Sequence, residues 1–329
     1  MLPSKRSVES AWRCRGALAW LLLPVGAVFF LIAALRRRLY RSGVFRSTRL
    51  PVPVVVIGNI TAGGSGKTPL VLWLVEELRR RGRRPGVISR GYGGSVEGVR
   101  KVSAGDAPTE VGDEPLLIRR RAGCPVFVGR DRVAAGRALL AAHSECDVIV
   151  CDDGLQHYRL VRDVEIVVVD RRGFLNGWPL PAGPLREPVS RLRSVDAVVA
   201  HDWSGEADFR MTLAGDRLGL LAKVSRHATP GDFAGKRLHA VAGIGEPRRF
   251  FDHLTALGLS FTAHAFPDHH VYGARDLVFD GDAILTTEKD AVKFGALARL
   301  PVWVLPVTAT VTPDLAQFIL ERIDGRPSA

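Results

Sequence analysis

Residues 51–68, PVPVVVIGNITAGGSGKT, constrain the chain more than any other stretch. The run from Val52 to Ile57 predicts a short buried strand, a glycine-rich turn follows, and a helix opens at Lys67 and Thr68. Gly63, Gly64 and Gly66 let the backbone wrap its N–H groups around an anion. The helix N-terminus adds positive partial charge there, and Lys67 a full charge. Thr61, Ala62, Gly63, Gly64, Ser65, Gly66, Lys67 and Thr68 thus read as a phosphate cradle. The general spacing G-x-x-x-x-G-K-[ST] wants glycine where this chain has Thr61, so the pattern alone is incomplete. Its context, a strand before and an amphipathic helix after, is that of a nucleotide-binding βα unit. A glycine-rich connection without a ligand is the bland alternative.

The helix after the turn places Leu70, Val71, Leu74, Val75 and Leu78 at helical spacing and ends in Arg79–Arg81 and Gly82. A strand at Pro85–Ser89 leads into the basic glycine-rich loop Arg90–Gly94, where open α/β sheets place ligands. The polar stretch 95–110 is expected outside the sheet. Asp113 and Glu114 stand before Leu116–Ile118, which fits either the acidic first turn of a helix or a chemical role. Pro125–Val128 reads as a strand, Arg130–Ala142 as a helix, and Asp147–Cys151 as a buried strand ending in Asp152-Asp153-Gly154. An apolar strand ending in acids is the pattern that holds Mg²⁺ in P-loop proteins, with Thr68 supplying a hydroxyl; acids after strands also serve as plain turn residues. Val164–Val169 and Asp196–Ala200 read as further strands. A weak stretch to about Arg237 reads as a linker or a small β piece, and a second α/β set follows: strands Leu238–Ala242, Ala283–Thr287 and Val302–Val307, with helices Pro247–Leu257 and Pro313–Ile323. Gly243-Ile244-Gly245 reads as a tight strand–helix turn, and Asp268-His269-His270 lacks further ligands at zinc spacing.

Ala17–Leu35 carries no charge and is bracketed by Arg13 and Arg15 before and Arg36–Arg38 after. At about 1.5 Å per residue the run just matches a hydrocarbon core of roughly 30 Å, so it can span a membrane or lie embedded in one leaflet. A cleaved signal peptide and a buried core helix are the rivals; no A-x-A site follows, and Pro24 and Gly26 interrupt the run. Lys plus Arg exceed Asp plus Glu by 12 (46 against 34), which points to anionic partners such as phosphates or a membrane surface. No aromatic-interleaved basic stripe suggests nucleic acid. Four cysteines without C-x-x-C spacing fit a reducing compartment. The expected layout is 1–45 as a membrane-associated helix with a basic flank, 46–205 as the P-loop domain, 206–237 as linker and 238–329 as a second α/β domain.

With these residues assembled, the chain resembles the tetraacyldisaccharide 4′-kinases. The resemblance rests on GNITAGGSGKTP at Gly58–Pro69, SRGYG at Ser89–Gly93, GDEP at Gly112–Pro115, DDGLQH at Asp152–His157, LREP at Leu185–Pro188, DHH at Asp268–His270 and TEKD at Thr287–Asp290. Thr61 is no departure from this narrower pattern. The resemblance implies an α/β P-loop fold with two α/β/α domains, a small β-linker, a cleft between the domains and an N-terminal membrane helix. It implies transfer of the ATP γ-phosphoryl group to the 4′-hydroxyl of a lipid disaccharide 1-phosphate, with ATP and Mg²⁺, at the cytoplasmic face of the inner membrane. By the same resemblance Asp113 is the base, His269 assists it, Lys67 holds phosphates, Thr68, Asp152 and Asp153 hold the metal, and Arg186 and Glu187 sit at the cleft; on charge, Arg90 and Arg130 can meet headgroups and the 1-phosphate, and Glu114 is a further candidate toward the substrate. No protein partner is evident. The competing reading is a membrane-anchored P-loop NTPase that switches a partner and has no lipid acceptor.

Overall fold

The computed structural model of the chain describes residues 11–295 and 297–325. The first element is α1, Ala17–Arg41. Next come β1 Val54–Gly58, α2 Lys67–Arg80, β2 Pro85–Ser89, β3 Val99–Lys101, α3 Pro108–Val111, α4 Asp113–Ala122, β4 Val126–Gly129, α5 Arg132–Ala142, β5 Val148–Asp152, β6 Val164–Asp170, β7 Ala197–His201 and β8 Phe209–Ala214. The remainder comprises β9 Leu218–Leu220, β10 Lys223–Ala228, β11 Leu238–Ala242, α6 Pro247–Ala256, β12 Thr262–Ala265, β13 Ala283–Thr287, α7 Glu288–Phe294, β14 Val302–Leu305, β15 Thr308–Thr312 and α8 Leu315–Asp324.

Two sheets form. The larger runs β15-β8-β7-β6-β1-β5-β2-β4-β3 and is parallel from β8 to β4, with antiparallel edges β15 and β3. Its inner strands β1, β2, β4, β5 and β7 are buried at every position, which is why their centres read as apolar and do not alternate with polar residues. β1 lies between β6 and β5, so the strand order reverses there and a crevice opens at its carboxyl end. The smaller sheet runs β10-β9-β14-β13-β11-β12.

Three expectations need correction. β3 lies inside the polar stretch 95–110 and closes the sheet edge against β4, with Val99 opposite Gly129. The linker 206–237 is divided: β8 belongs to the larger sheet, while β9 and β10 belong to the smaller. The helix expected at Pro313–Ile323 in the second α/β set is α8, and it packs against the larger sheet, with β15 paired to β8 beside it. Leu315, Ala316, Ile319 and Ile323 make one apolar stripe of α8 and are buried in the same core as Leu70, Leu74 and Leu78 of α2. Burial of each leucine or isoleucine contributes about 1.5–3 kcal/mol, so the stripe joins the core that can cover it. The chain therefore crosses between the sheets twice, once after β8 and once before β15. The crossings touch: a side chain at Gly215 would collide with the Pro306 carbonyl oxygen.

Helix α1 lies along the larger unit for its whole length. Ala19 and Gly26 are buried, and any side chain at position 26 would strike Pro179. Trp20 stacks edge-on against Trp178 at 4.7 Å, Phe30 packs on the sheet's second core, Arg37 donates to Ser194 Oγ at 2.8 Å and Tyr40 meets Tyr158. The opposite face presents Leu21, Val25, Val28, Leu31, Ile32 and Leu35 to the outside.

Candidate active site

The phosphate loop joins β1 to α2. Gly63 and Gly66 adopt φ of 100° and 87°, values that side chains disfavour. The carbonyls of three successive residues are bound from outside. Gly63 O accepts from Asn59 Nδ2 (3.2 Å), Gly64 O from Arg172 (2.6 Å) and Ser65 O from the His201 ring (3.3 Å). Holding the carbonyls on one side suits a cradle whose N–H groups serve an anion. The segment Leu185–Glu187 steadies the loop's first half, with Ala62 N donating to Pro184 O, Arg186 N to Ile60 O, and Thr61 bridged to Leu185. This is the structural place of Thr61: it pairs like a strand residue, which needs no glycine.

Lys67 and Thr68 are buried in the first turn of α2. The Lys67 ammonium lies 3.5 Å from Asp153, which also accepts from Arg186 at 3.2 Å. Burial opposes ionisation of Asp153, yet Lys67 and Arg186 hold its carboxyl well below the usual range. Asp152, at the end of β5, is fully buried; one oxygen accepts from Ser89 Oγ at 3.1 Å and the other has no hydrogen-bond partner. Burial, and then the Glu114 and Asp153 carboxylates, push its pKa up to about 7. A buried carboxylate with an unfilled oxygen beside two others suits a hard cation. Among the described residues no three His, Cys, Asp or Glu side chains gather into a metal cluster, so an ion here would need its remaining oxygens from ligand and water.

Asp113 begins α4 and faces the second unit. His269, itself at φ 60°, directs Nδ1 at both Asp113 oxygens, each at 3.0 Å. Lys293 and Lys289, from α7, stand 3.5 and 4.0 Å from Asp113 Oδ2, and Lys289 also donates to Glu114 (2.9 Å) and Asp268 (3.2 Å). Burial would raise the Asp113 pKa, but the His269 hydrogen bond and the two lysines outweigh it and hold the carboxyl down to about 2. Because the folded value lies below the unfolded one, this contribution to stability is complete above about pH 4. It is lost as the pH falls toward 2. In Asp113→Asn, the loss of stability between about pH 4 and pH 2 should be shallower than in the parent, as measured by denaturant titration at stepped pH.

A cavity of about 590 Å³ separates the two sheets, with Gly64–Thr68 on one wall and Ile244, Gly245, Arg249, Phe250 and Lys289 among those opposite. A smaller one of about 70 Å³ is lined by Tyr92, Asp113, His269 and Lys293. The phosphate loop and the Asp113–His269 pair thus face adjacent spaces, with Glu114 and Lys289 bonded to each other in the wall of the larger. Asp152 and Asp153 line neither; Asp152 ends β5 and Asp153 follows it. Arg90 and Arg130 are exposed. Glu187, expected at the cleft, is buried, and its oxygens accept from Gln156 (2.7 Å), Tyr158 (2.6 Å) and Arg191 (3.2 Å). Gln156 also bonds the Asn59 carbonyl, so Glu187 braces the loop from behind.

Sequence reasoning did not place Arg172, His201, Arg249, Asp268, Lys289 or Lys293 in the site. For Arg172 and His201 a signal existed. Arg172 follows β6, which flanks β1, and His201 ends β7, the next strand out; both stand on the rim on which open sheets carry ligands.

A family model described as tetraacyldisaccharide-1-P 4′-kinase matches residues 18–324. A tetraacyldisaccharide 4′-kinase from Azoarcus is 55% identical over 332 residues, covering 98% of this chain and 97% of the relative. One from Dechloromonas aromatica is 51% identical, covering 98% and 99%. The crystal structure of LpxK from Aquifex aeolicus in complex with ATP superposes with a TM-score of 0.80 at 29% identity, covering 93% of this chain and 99% of that one. The match runs from α1 through the phosphate loop to α8, and on that breadth the chain belongs to the tetraacyldisaccharide 4′-kinase family.

Proposed function

We propose that this chain transfers the ATP γ-phosphoryl group to the 4′-hydroxyl of a tetraacyldisaccharide 1-phosphate, across the cleft between its two sheets. The observation that supports this most is the facing of a phosphate loop on one unit by a hydrogen-bonded carboxylate–histidine pair assembled from both. Phosphoryl transfer passes through a loose transition state, so positioning and charge neutralisation carry most of the catalysis. Lys67 and the loop backbone hold the phosphates, and Arg186 keeps Asp153 in place beside Lys67. Asp152 and Thr68, with Asp153 at hand, are the residues to hold Mg²⁺, which when bound neutralises charge on the phosphate oxygens.

Asp113 accepts a hydrogen bond from the acceptor hydroxyl and takes its proton as the O–P bond forms. A carboxylate with so low a pKa is a weak base, which suits a transition state in which the nucleophile's proton leaves late. His269 donates through Nδ1 to Asp113 and fixes its orientation. Lys289 ties Glu114 to Asp268 across the cleft. Arg90 and Arg130, both exposed, are available for the acceptor's 1-phosphate.

Helix α1 brings the enzyme to its acylated substrate. Its protein-facing seam reaches from Ala19 to Tyr40, so threading it through a bilayer would draw the loop 176–182 and Ser194 in beside it. Lying in one leaflet, it buries its outward leucines and valines and leaves the Arg36–Arg41 end among anionic headgroups at the cytoplasmic face of the inner membrane. Leu31→Glu with Leu35→Glu should lower partition to vesicles of anionic phospholipid by about 100-fold or more, since each leucine contributes about 1.5–3 kcal/mol. Thermal unfolding should be unchanged, because both side chains point away from the protein. Vesicle co-sedimentation reads the first and calorimetry the second.

The switch reading predicts ATP hydrolysis without any lipid. Release of ADP, followed with and without the disaccharide acceptor in mixed micelles, separates the two. Acceptor-dependent release supports the kinase, and equal rates in both support the switch.

A further inference from the structure

His201 closes β7 and is buried beneath the phosphate loop. Its ring fills the space that a side chain at Gly66 would need, so that a Cβ there would collide with Nδ1. On its far side is Arg249, from α6 of the opposite unit. The guanidinium reaches the ring at Nε2 and donates to Asp202 Oδ2 at 2.7 Å. A neutral imidazole has one donor and one acceptor nitrogen. The carbonyl of Ser65 requires the donor, so Nδ1 carries the proton, and Nε2 accepts from Arg249. The 3.2 Å approach of Arg249 to Nδ1 is then a contact and not a hydrogen bond. Burial and the neighbouring guanidinium push the His201 pKa down to about 4, consistent with a neutral ring.

We propose that His201 is a positioning residue of the phosphate loop, transmitting the position of Arg249 on the second unit to the backbone of Ser65 and Gly66. Through it, the cradle's grip on ATP depends on the two units being joined. Two further observations fit a junction at this rim. Arg171, after β6, pairs with Glu246 at the start of α6, and Gly245 abuts Gly64 so closely that a side chain there would meet Gly64 N at 2.9 Å. The second unit thus touches the loop both by its backbone and through His201. The inference rests on the loop being the ATP site.

The test measures ATP·Mg²⁺ affinity by titration calorimetry of the full chain, with steady-state kinetics alongside. Arg249→Ala and His201→Asn, which keeps a donor for Ser65 but shortens the reach to Arg249, should each raise the Kd and KM for ATP about three- to tenfold, the size of one lost hydrogen bond. The KM for the lipid acceptor should stay within about twofold. The double variant should bind ATP no more weakly than the weaker single, because both changes break one connection. His201→Ala, if it folds, should exceed both, since it also frees the Ser65 carbonyl. Unchanged ATP affinity in Arg249→Ala and His201→Asn, or effects that multiply in the double variant, would overturn the relay. Because calorimetry reads ATP alone, a parent protein that binds ATP yet phosphorylates no lipid would refute the kinase reading and leave this one standing.

Discussion

Replacing Asp113 by asparagine is expected to lower kcat by about 10²- to 10⁴-fold, the usual worth of a positioned proton acceptor. Asparagine is nearly isosteric and still accepts a hydrogen bond from His269 Nδ1, so the pair's geometry should survive while its basicity does not. Lys289 and Lys293 would then lose one of the charges they face, although each keeps another carboxylate, Glu114 or Asp290. The KM for ATP should stay within about threefold, since the partners of Asp113 are His269, Lys289 and Lys293 and not the phosphate loop. Steady-state kinetics with the lipid acceptor check both halves. A kcat within about threefold of the parent would remove Asp113 from the chemistry, whatever its place in the structure.

Lys67→Ala should lower kcat/KM by about 10²- to 10³-fold, because the ammonium is buried and stands where charge develops on the phosphates. Its loss also leaves Asp153 with Arg186 as its ion-pair partner. Lys67→Arg is not expected to rescue, since the planar guanidinium is larger than the pocket that Gly66 and Asp153 leave for a point charge. The distinguishing readout is ATP binding, which falls in Lys67→Ala and holds in Asp113→Asn. Equal ATP affinity in the two would contradict the division of labour between the phosphate loop and the Asp113–His269 pair.

Much of this arrangement was legible in the residues. β1 and β5 are apolar runs bounded by turn residues, and parallel strands buried on both faces leave that trace. The phosphate loop and Asp152 declare themselves because local backbone geometry and a strand end dictate residue type. What stayed hidden depends on long-range pairing. β15 and α8 follow β14 by a few residues, yet they return to the first sheet because the β8 edge and the α2 side of that core were uncovered; nothing local in TATVT or in the α8 stripe specifies which sheet they join. Lys289 and Lys293 sit four apart on α7, the spacing of an ordinary solvated helix face. Only the fold shows that this face meets Asp113. Glu187 misled in the opposite direction: an acid within LREP suggested the cleft, whereas three donors behind the loop claim it.

The central claim is that a phosphoryl group passes from ATP held by the phosphate loop to a hydroxyl held at the Asp113–His269 pair. The most direct measurement incubates the purified chain with γ-³²P-ATP, Mg²⁺ and tetraacyldisaccharide 1-phosphate, then locates the label in the lipid. The account predicts a bis-phosphorylated lipid with the label on the 4′-oxygen and the 1-phosphate unlabelled. Label released only as inorganic phosphate, or found at position 1, would contradict it.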